Sequence, residues 1–156
     1  MRRVVLLFCT DLKSQRVLLG LKKTGFGAGR IVGIGGGIEN SETPANAAVR
    51  ELLEETGLTV APADLRDAGR LEFRFAAQPT WDMIADLFVA HTWSGAMLET
   101  SEIAPLWCEL DALPWAQMWP DGRYWLLECL RGAVIDAICV YAADGRSVQS
   151  FTHRQT

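Results

Sequence analysis

Three glutamates stand close together in the chain and have the residue type and spacing of a metal site. Glu51, Glu54 and Glu55 lie within RELLEETGL, residues 50–58. Spacings of three and four residues bring side chains onto neighbouring positions of a helix, where like charges cost about 0.2–0.5 kcal/mol per pair. Carboxylate oxygens are ligands that Mg²⁺ prefers, usually with substrate phosphates completing its coordination. The cluster therefore indicates metal chemistry on a phosphate compound.

A glycine-rich segment ahead of these glutamates supplies a second feature of such a site. IVGIGGG ends in three consecutive glycines, Gly35 to Gly37, so no side chain covers the backbone there. A bare backbone can offer a carbonyl oxygen as a further metal ligand. An isolated E-x-x-E-E pattern is more often an acidic face in solvent, but the nearby glycines favour a metal site.

The spacing of fixed residues extends well beyond the three glutamates. The chain satisfies each position of the pattern G-x5-E-x7-R-E-U-x-E-E-x-G-U, where U is aliphatic, with Gly36, Glu42, Arg50, Glu51, Leu52, Glu54, Glu55, Gly57 and Leu58. Nine such positions agree by chance about once in 10⁹ to 10¹⁰ starting points. This pattern is the Nudix box, here residues 36–58, and the chain therefore resembles a Nudix hydrolase.

The resemblance implies roles for the residues of the box. In this family the box forms a loop, a helix and a loop that bind divalent metal for the hydrolysis of a nucleoside diphosphate linked to another group. Glu51 and Glu55 match the principal metal ligands, the carbonyl of Gly35 matches the backbone ligand, and Glu54 matches a further carboxylate. Arg50 matches the residue that orients one of these glutamates through an ion pair.

Two more acidic residues are implied in the same site. Glu42 matches a supporting acidic position at the start of the box. Glu102 corresponds to a third metal-binding carboxylate, with a loop surface charge as the alternative. The expected cofactor is Mg²⁺, with Mn²⁺ as a substitute. The catalytic base stays open between Glu54 and Glu55, with Glu102 as an outside candidate.

Segments outside the box resemble one branch of the family. RVLLGLKKTGFGAGR before the box, with E-I-A-P-L-W and M-W-P-D-x-x-Y-W after it, is similar to the MutT-homologue type. That type hydrolyses oxidised purine nucleoside triphosphates such as 8-oxo-dGTP to the monophosphate and pyrophosphate. The similarity implies that the nucleotide contacts Lys22, Phe26, Phe73, Phe75, Trp119 and Asp121. Plain core packing is the alternative for the two strand phenylalanines and for Trp119.

Three positions depart from that pattern and leave the preferred base and sugar open. Gly122 stands where a second consecutive aspartate is expected, and Ile31 and Val32 replace an expected tryptophan and asparagine. Losing polar partners from a site that reads a base by hydrogen bonds can shift selectivity strongly. Hydrolysis of another nucleoside diphosphate derivative, such as ADP-ribose or a nucleotide sugar, is therefore one alternative. A non-catalytic nucleotide sensor is another.

The elements that must position these residues follow from the apolar pattern. Strands are predicted by VVLLFC, RVLLGL, IVGIGGG, RLEFRFA, MIADLFVAHTW, LWCEL, VIDAICVYA and VQSFTHR. Thr43 and Pro44 begin a helix that Gly57 ends, so the first helix spans 44–56 and packs through Ala45, Ala48, Val49, Leu52 and Leu53. PDGRYWLLECLRG predicts a second helix. Many strands with two helices indicate an α+β fold, and the resemblance implies an α/β/α sandwich with a mixed β-sheet core.

Length, charge and cysteine use bound the remaining possibilities. The 156 residues suit a single domain, expected over 1–156. A net charge of −4 gives no general attraction to a nucleic acid polymer or an anionic membrane, so a small nucleotide is the expected partner. The four cysteines form no C-x-x-C pair and are expected to be buried thiols of a cytoplasmic protein. Monomer and homodimer both stay open.

Overall fold

The computed structural model of the protein describes residues 1–154, which contain nine strands and two α-helices. The strands are β1 (Arg2–Asp11), β2 (Arg16–Lys22), β3 (Ile31–Val32), β4 (Ile34–Gly37), β5 (Leu65–Phe75), β6 (Met83–Ala90), β7 (Ile103–Glu109), β8 (Ile135–Tyr141) and β9 (Val148–His153), and the helices are α1 (Pro44–Thr56) and α2 (Leu126–Leu130). Short 3₁₀ turns occupy several of the connections.

The strands form a mixed sheet, as predicted. Six of them lie in the order β4, β1, β6, β5, β8, β9, with β1 parallel to β6 and β5 parallel to β8. The other three pair as β3, β2, β7 and join the six where the end of β1 pairs with β2, at Thr10 and Asp11. The long strand β1 therefore links both groups of strands.

Two hydrophobic clusters cover opposite faces of β1, because successive side chains of a strand point to opposite sides. Val5 and Leu7 pack on one side in the cluster that contains α1, whereas Val4 and Phe8 belong to the cluster that contains α2. Each helix therefore covers a different face of the sheet, and the predicted α/β/α layering is confirmed.

The first helix begins and ends where the sequence predicts. Thr43 Oγ1 accepts a hydrogen bond from the backbone N–H of Asn46 at 3.1 Å, and Pro44 occupies the first turn. Gly57 has a φ of 78°, which favours glycine, and its N–H donates to Leu53 O at 3.0 Å. Both ends are thus set by local side-chain and backbone chemistry.

The face that α1 buries matches the predicted one except at Leu53. Ala48 and Leu52 are fully buried, and the half-buried Ala45 and Val49 pack against the same cluster. Leu53 was expected to pack but is 52% exposed, whereas Glu51 and Glu55 are buried at 9% and 6% exposure. These two carboxylates face the glycines of β4, where no side chain competes for the space. The prediction was therefore wrong for Leu53, because hydrophobicity alone does not show that the glutamates are buried.

The second predicted helix is shorter than expected. Pro120–Tyr124 forms a 3₁₀ helix, Trp125 leaves the helical region with a φ of −147°, and α2 begins only at Leu126. Trp125 is buried and donates its indole N–H to Asp121, which accounts for the break.

All four cysteines are buried and free, as predicted. None of the helices described within residues 1–154 combines the length and apolar character needed to span a bilayer.

The orientation of α1 can be tested with two neighbouring leucines. Replacing the fully buried Leu52 by alanine should lower the free energy of unfolding by about 2–5 kcal/mol, because the change removes packed methyl groups and leaves a cavity. Replacing the exposed Leu53 by alanine should change it by no more than about 0.5 kcal/mol. Urea denaturation of both variants measures the difference, and equal losses would contradict the orientation described.

Candidate active site

The glutamates of α1 meet the glycines of β4 at close range. Glu55 Oε1 accepts a hydrogen bond from the backbone N–H of Gly35 at 2.9 Å. A Cβ atom on Gly36 would lie 2.5 Å from Oε1 of Glu51, so a larger residue could not occupy this position without displacing that carboxylate. The glycines therefore allow two acidic side chains to pack directly against the backbone of a strand.

Arg50 connects the beginning of the box to its helix. Its guanidinium donates to both carboxylate oxygens of Glu42, at 2.8 and 2.9 Å, and to Gly37 O at 2.9 Å. It also donates to Glu51 at 3.0 Å and to Glu54 at 3.3 Å. The side chain is 22% exposed, so these ion pairs lie at the boundary between the interior and solvent. Arg50 thus holds a loop, a strand and a helix together.

Burial and mutual repulsion change how these carboxyl groups ionise. Burial, followed by the charges of Glu51 and Glu102, raises the pKa of Glu55 to about 8, against the opposing hydrogen bond from Gly35. Burial also raises the pKa of Glu51, although Arg50 opposes that effect. Hydrogen bonds from Arg50 lower the pKa of Glu42 to about 2. Glu42 therefore stays charged, whereas for Glu55 burial and the neighbouring carboxylates outweigh the opposing charge of Lys22.

The acidic groups fit a divalent cation that is shared with phosphate oxygens. Within residues 1–154, no three acidic, histidine or cysteine side chains converge closely enough to enclose a metal ion by themselves. Magnesium usually takes only one or two carboxylates and completes its shell with water and substrate phosphates. Glu51 and Glu55, beside the bare backbone of Gly35, supply such a donor set, and a cation there would favour their ionised forms.

The two other predicted carboxylates lie at the periphery of this pair. The side chain of Glu54 is 54% exposed, and its hydrogen bond from Arg50, at 3.3 Å, is longer than those that Arg50 donates to Glu42, Glu51 and Gly37. Glu102 is exposed on the loop before β7, yet its charge raises the pKa of both Glu51 and Glu55. Both residues are therefore close enough to act electrostatically on the buried carboxylates.

One cavity of about 190 Å³ joins this acidic end to an aromatic pocket. Its lining includes Gly35, Gly36 and Glu55. The same lining contains all six residues that were predicted to contact a nucleotide: Lys22, Phe26, Phe73, Phe75, Trp119 and Asp121. These residues come from three separate parts of the chain, and the fold brings them together around one cavity. That they bind a substrate stays a prediction.

Asp121 is held in place by two residues that sequence reasoning missed. Its Oδ1 accepts a hydrogen bond from the Tyr141 hydroxyl at 2.5 Å, and its Oδ2 accepts one from the indole N–H of Trp125 at 2.8 Å. All three side chains are buried and line the cavity. Burial raises the pKa of Asp121, and the two donors oppose this. Each oxygen of a carboxylate has a second acceptor site, so Asp121 can still accept hydrogen bonds from a ligand.

Aromatic rings form one wall of the cavity. Phe26 stacks on Trp119 with ring centroids 5.3 Å apart, and Phe75 stacks on Tyr141 at 4.9 Å. The guanidinium carbon of Arg30 lies 4.0 Å from the centre of the Trp119 ring, and Arg30 also donates to Met118 O. Flat aromatic surfaces of this kind suit a planar heterocycle.

The three departures from the MutT-homologue pattern all line this cavity. Ile31, Val32 and Gly122 border it, together with Met83. The cavity is accordingly apolar, and Asp121 is its acidic group at the aromatic end. No local signal in the sequence identifies Tyr141, because it stands in an apolar stretch that reads as ordinary core. Trp125 ends the M-W-P-D-x-x-Y-W segment, but no role was predicted for it.

Comparisons with known proteins agree with this geometry. Residues 1–129 match the NUDIX domain family. The chain is 46% identical over 114 residues to oxidized purine nucleoside triphosphate hydrolase of Mus musculus, covering 73% of this chain and 71% of that protein. It is 44% identical over 110 residues to the protein of that name from Danio rerio, covering 70% and 69%. The crystal structure of a MutT protein from Bacillus halodurans has the same fold, with a TM-score of 0.80 at 23% identity and 97% coverage of both chains.

The raised pKa of Glu55 predicts how stability depends on pH in the absence of metal. An acid whose pKa is about 8 in the folded protein and near 4.5 when unfolded keeps its proton longer in the folded state, so the free energy of unfolding falls as pH rises between these values. Glu55→Gln should therefore stabilise the protein at pH 8.5 by on the order of a few kcal/mol, and leave it nearly unchanged at pH 4.

Urea denaturation in EDTA at the two pH values measures this effect, with Glu54→Gln as the matched control because its side chain is largely exposed. Adding Mg²⁺ should remove the advantage of Glu55→Gln, since a bound cation stabilises the ionised wild-type carboxylate. Equal stability of both variants at pH 8.5 would contradict the described environment of Glu55.

Proposed function

The chain belongs to the NUDIX family, and on that basis we propose that it is a metal-dependent (deoxy)nucleoside triphosphate pyrophosphohydrolase that acts on oxidised purine nucleotides such as 8-oxo-dGTP. The products are a nucleoside monophosphate and pyrophosphate. Such an enzyme removes damaged nucleotides from the pool of free nucleotides. The substrate class is taken from relatives that share 44–46% of the aligned residues and carry the name oxidized purine nucleoside triphosphate hydrolase.

One observation carries this proposal. The same cavity is lined by Glu55, Gly35 and Gly36 at one part and by aromatic rings with a buried acid, Asp121, at another. A nucleoside triphosphate has the matching division, with a phosphate chain that needs a cation and a planar base that needs a flat pocket and a hydrogen-bonding partner. An enzyme that hydrolysed a small phosphate ester would not need the second part.

We propose that Glu51, Glu55 and the carbonyl of Gly35 hold Mg²⁺, with Glu54 and Glu102 as further acidic groups around it. Mn²⁺ would serve as a substitute, because it shares the preference for oxygen ligands. When bound, the cation supplies charge neutralisation on the phosphates and lowers the pKa of coordinated water. Arg50 fixes the position of Glu51 through the hydrogen bond of 3.0 Å, and Glu42 keeps Arg50 in place.

The reaction also needs a group that accepts a proton from the attacking water. The water oxygen forms a bond to phosphorus while the bond between phosphorus and the bridging oxygen breaks, and the released proton passes to a carboxylate. Glu55 and Glu54 are both proposed for this step. Glu55 lines the cavity, whereas Glu54 is exposed and held by a longer contact with Arg50.

Binding of the base is assigned to the aromatic wall and Asp121. Phe26, Phe73, Phe75 and Trp119 would enclose the ring system, and the carboxyl group of Asp121 would pair with N–H groups on its edge. Lys22 acts on Glu55 through its charge, which lowers the pKa of Glu55, and it would lie near the phosphates of a bound nucleotide. Recognition of the base would depend more on Asp121 than in the MutT-homologue pattern, because Ile31, Val32 and Gly122 replace polar residues or a second carboxylate.

We propose that the whole chain, residues 1–156, works as one domain in the cytoplasm. The β8–β9 hairpin lies beyond the residues that match the family, yet β8 pairs with β5 and contributes Tyr141 to the cavity. Removing the hairpin would therefore remove a partner of Asp121.

A screen of normal and oxidised nucleoside triphosphates with Mg²⁺ tests the proposed substrate class. Oxidised purine triphosphates should give the highest kcat/KM, with one pyrophosphate released per monophosphate formed. Anion-exchange chromatography of the products provides the measurement. Hydrolysis of ADP-ribose or a nucleotide sugar to two monophosphates, with no pyrophosphate from any triphosphate, would contradict the proposal and support the alternative substrates.

Substituting the glutamates tests the catalytic assignment. Glu55→Gln and Glu54→Gln should each lower kcat by about 10²-fold or more, because they remove a proposed metal ligand or the group that accepts the proton. Glu109→Gln, an exposed substitution on β7 away from the cavity, is the control and should retain wild-type activity. Full activity in both Glu54 and Glu55 variants, with folding verified by circular dichroism, would refute the assignment.

A further inference from the structure

Arg2 lies at the edge of the cavity, in line with residues that form its floor. Arg2, Val4, Leu6 and Phe8 alternate along β1, and all four line the cavity. A strand directs every second side chain to the same face. Arg3, on the opposite face, is instead bound to Asp86 at 2.6 Å. Arg2 is therefore the charged end of a row whose other members are apolar.

The three consecutive glycines place Arg2 at the acidic part of the cavity. Gly35 donates to Glu55, and Gly36 lies against Glu51. The next glycine, Gly37, has Nη2 of Arg2 as the nearest neighbour of its missing side chain, 3.7 Å from where a Cβ would stand. Because successive residues of a strand face opposite sides, Arg2 lies across β4 from Glu51, and it shares the lining of the cavity with Glu55.

The charged side chains that line the cavity indicate a separate role for Arg2. Among the described lining residues, the charged side chains are Arg2, Lys22, Glu55 and Asp121. Within residues 1–154, Arg2 forms no ion pair, whereas Arg3 and Arg50 are both paired with carboxylates. A triphosphate carries more negative charge than one divalent cation and one lysine neutralise. A guanidinium presents several N–H donors in a plane and binds two phosphate oxygens at once.

We propose that Arg2 is a phosphate-binding residue of the substrate site, and that its guanidinium contacts the polyphosphate chain beside the Gly35–Gly37 strand. The inference rests on the proposed function and adds a residue that lies outside the Nudix box. Arg2 acts on binding: it draws the phosphate chain towards the glutamates, and it takes no part in breaking the bond. Its contribution should weaken as salt concentration rises, because its side chain is exposed.

Three variants of the full chain test this role: Arg2→Ala, Arg2→Lys and Arg3→Ala. Their dissociation constants for inorganic tripolyphosphate, for a non-hydrolysable analogue of 8-oxo-dGTP and for the nucleoside 8-oxo-deoxyguanosine are measured by calorimetry with Mg²⁺ at low salt, so that the proposed cation is present and no turnover occurs. Arg2→Ala should weaken binding of tripolyphosphate and of the analogue by roughly 5- to 20-fold, the range expected for a partly exposed charged hydrogen bond. Nucleoside binding should be unchanged, and Arg2→Lys should be intermediate.

Arg3→Ala is the matched control, since it removes the same charge one residue away on the other face of β1. Equal effects of Arg2→Ala and Arg3→Ala, or no effect of either, would overturn the inference and reduce Arg2 to a general surface charge. Wild-type turnover with Mg²⁺ separates the two proposals. If the wild-type protein releases pyrophosphate but Arg2→Ala binds tripolyphosphate as tightly as the wild type, only the role of Arg2 is refuted. If Arg2→Ala weakens tripolyphosphate binding but the wild-type protein hydrolyses no triphosphate, only the proposed function is refuted.

Discussion

The site depends on the packing of two carboxylates of α1 against the glycines of β4. Glu51 and Glu55 are buried on α1, and the bare backbone of Gly35 and Gly36 provides the space that admits them. Burying like charges together is unfavourable, as the raised pKa values of both groups indicate. The protein gains no stability from this arrangement in itself. It becomes favourable when a divalent cation and phosphate oxygens share the space, which links the fold of this segment to its chemistry.

Arg50 explains how the chain tolerates this repulsion. Its guanidinium reaches Glu42, Glu51, Glu54 and the carbonyl of Gly37, so it connects the loop, the helix and the glycine strand. The same contacts draw Glu51 and Glu54 to one side and leave Glu55 directed at Gly35. The structural and chemical roles of the box are therefore carried by the same hydrogen bonds, and a change at Arg50 would affect both.

The other part of the cavity is built from distant parts of the chain. Asp121 follows the last long loop, Tyr141 ends β8, and Phe75 ends β5, which runs parallel to β8. Pairing of Phe75 with Tyr141 across these two strands brings the tyrosine hydroxyl to the carboxyl group of Asp121. Parallel pairing of strands that are 60 or more residues apart cannot be read from local sequence. This explains why Tyr141 escaped the sequence reasoning while Asp121 did not.

The sequence by itself determined the box, the ends of α1 and which glutamates are proposed to hold metal, because fixed spacing on one helix and local capping chemistry set them. The strands also follow from the sequence, since their apolar pattern is a local property. Tertiary structure alone decided that Leu53 of α1 is exposed while Glu51 and Glu55 are buried, because the bare backbone of β4 leaves room for the two carboxylates. It likewise decided the partners of Asp121 and the position of Arg2 beside Gly37, since both depend on which strands lie next to each other.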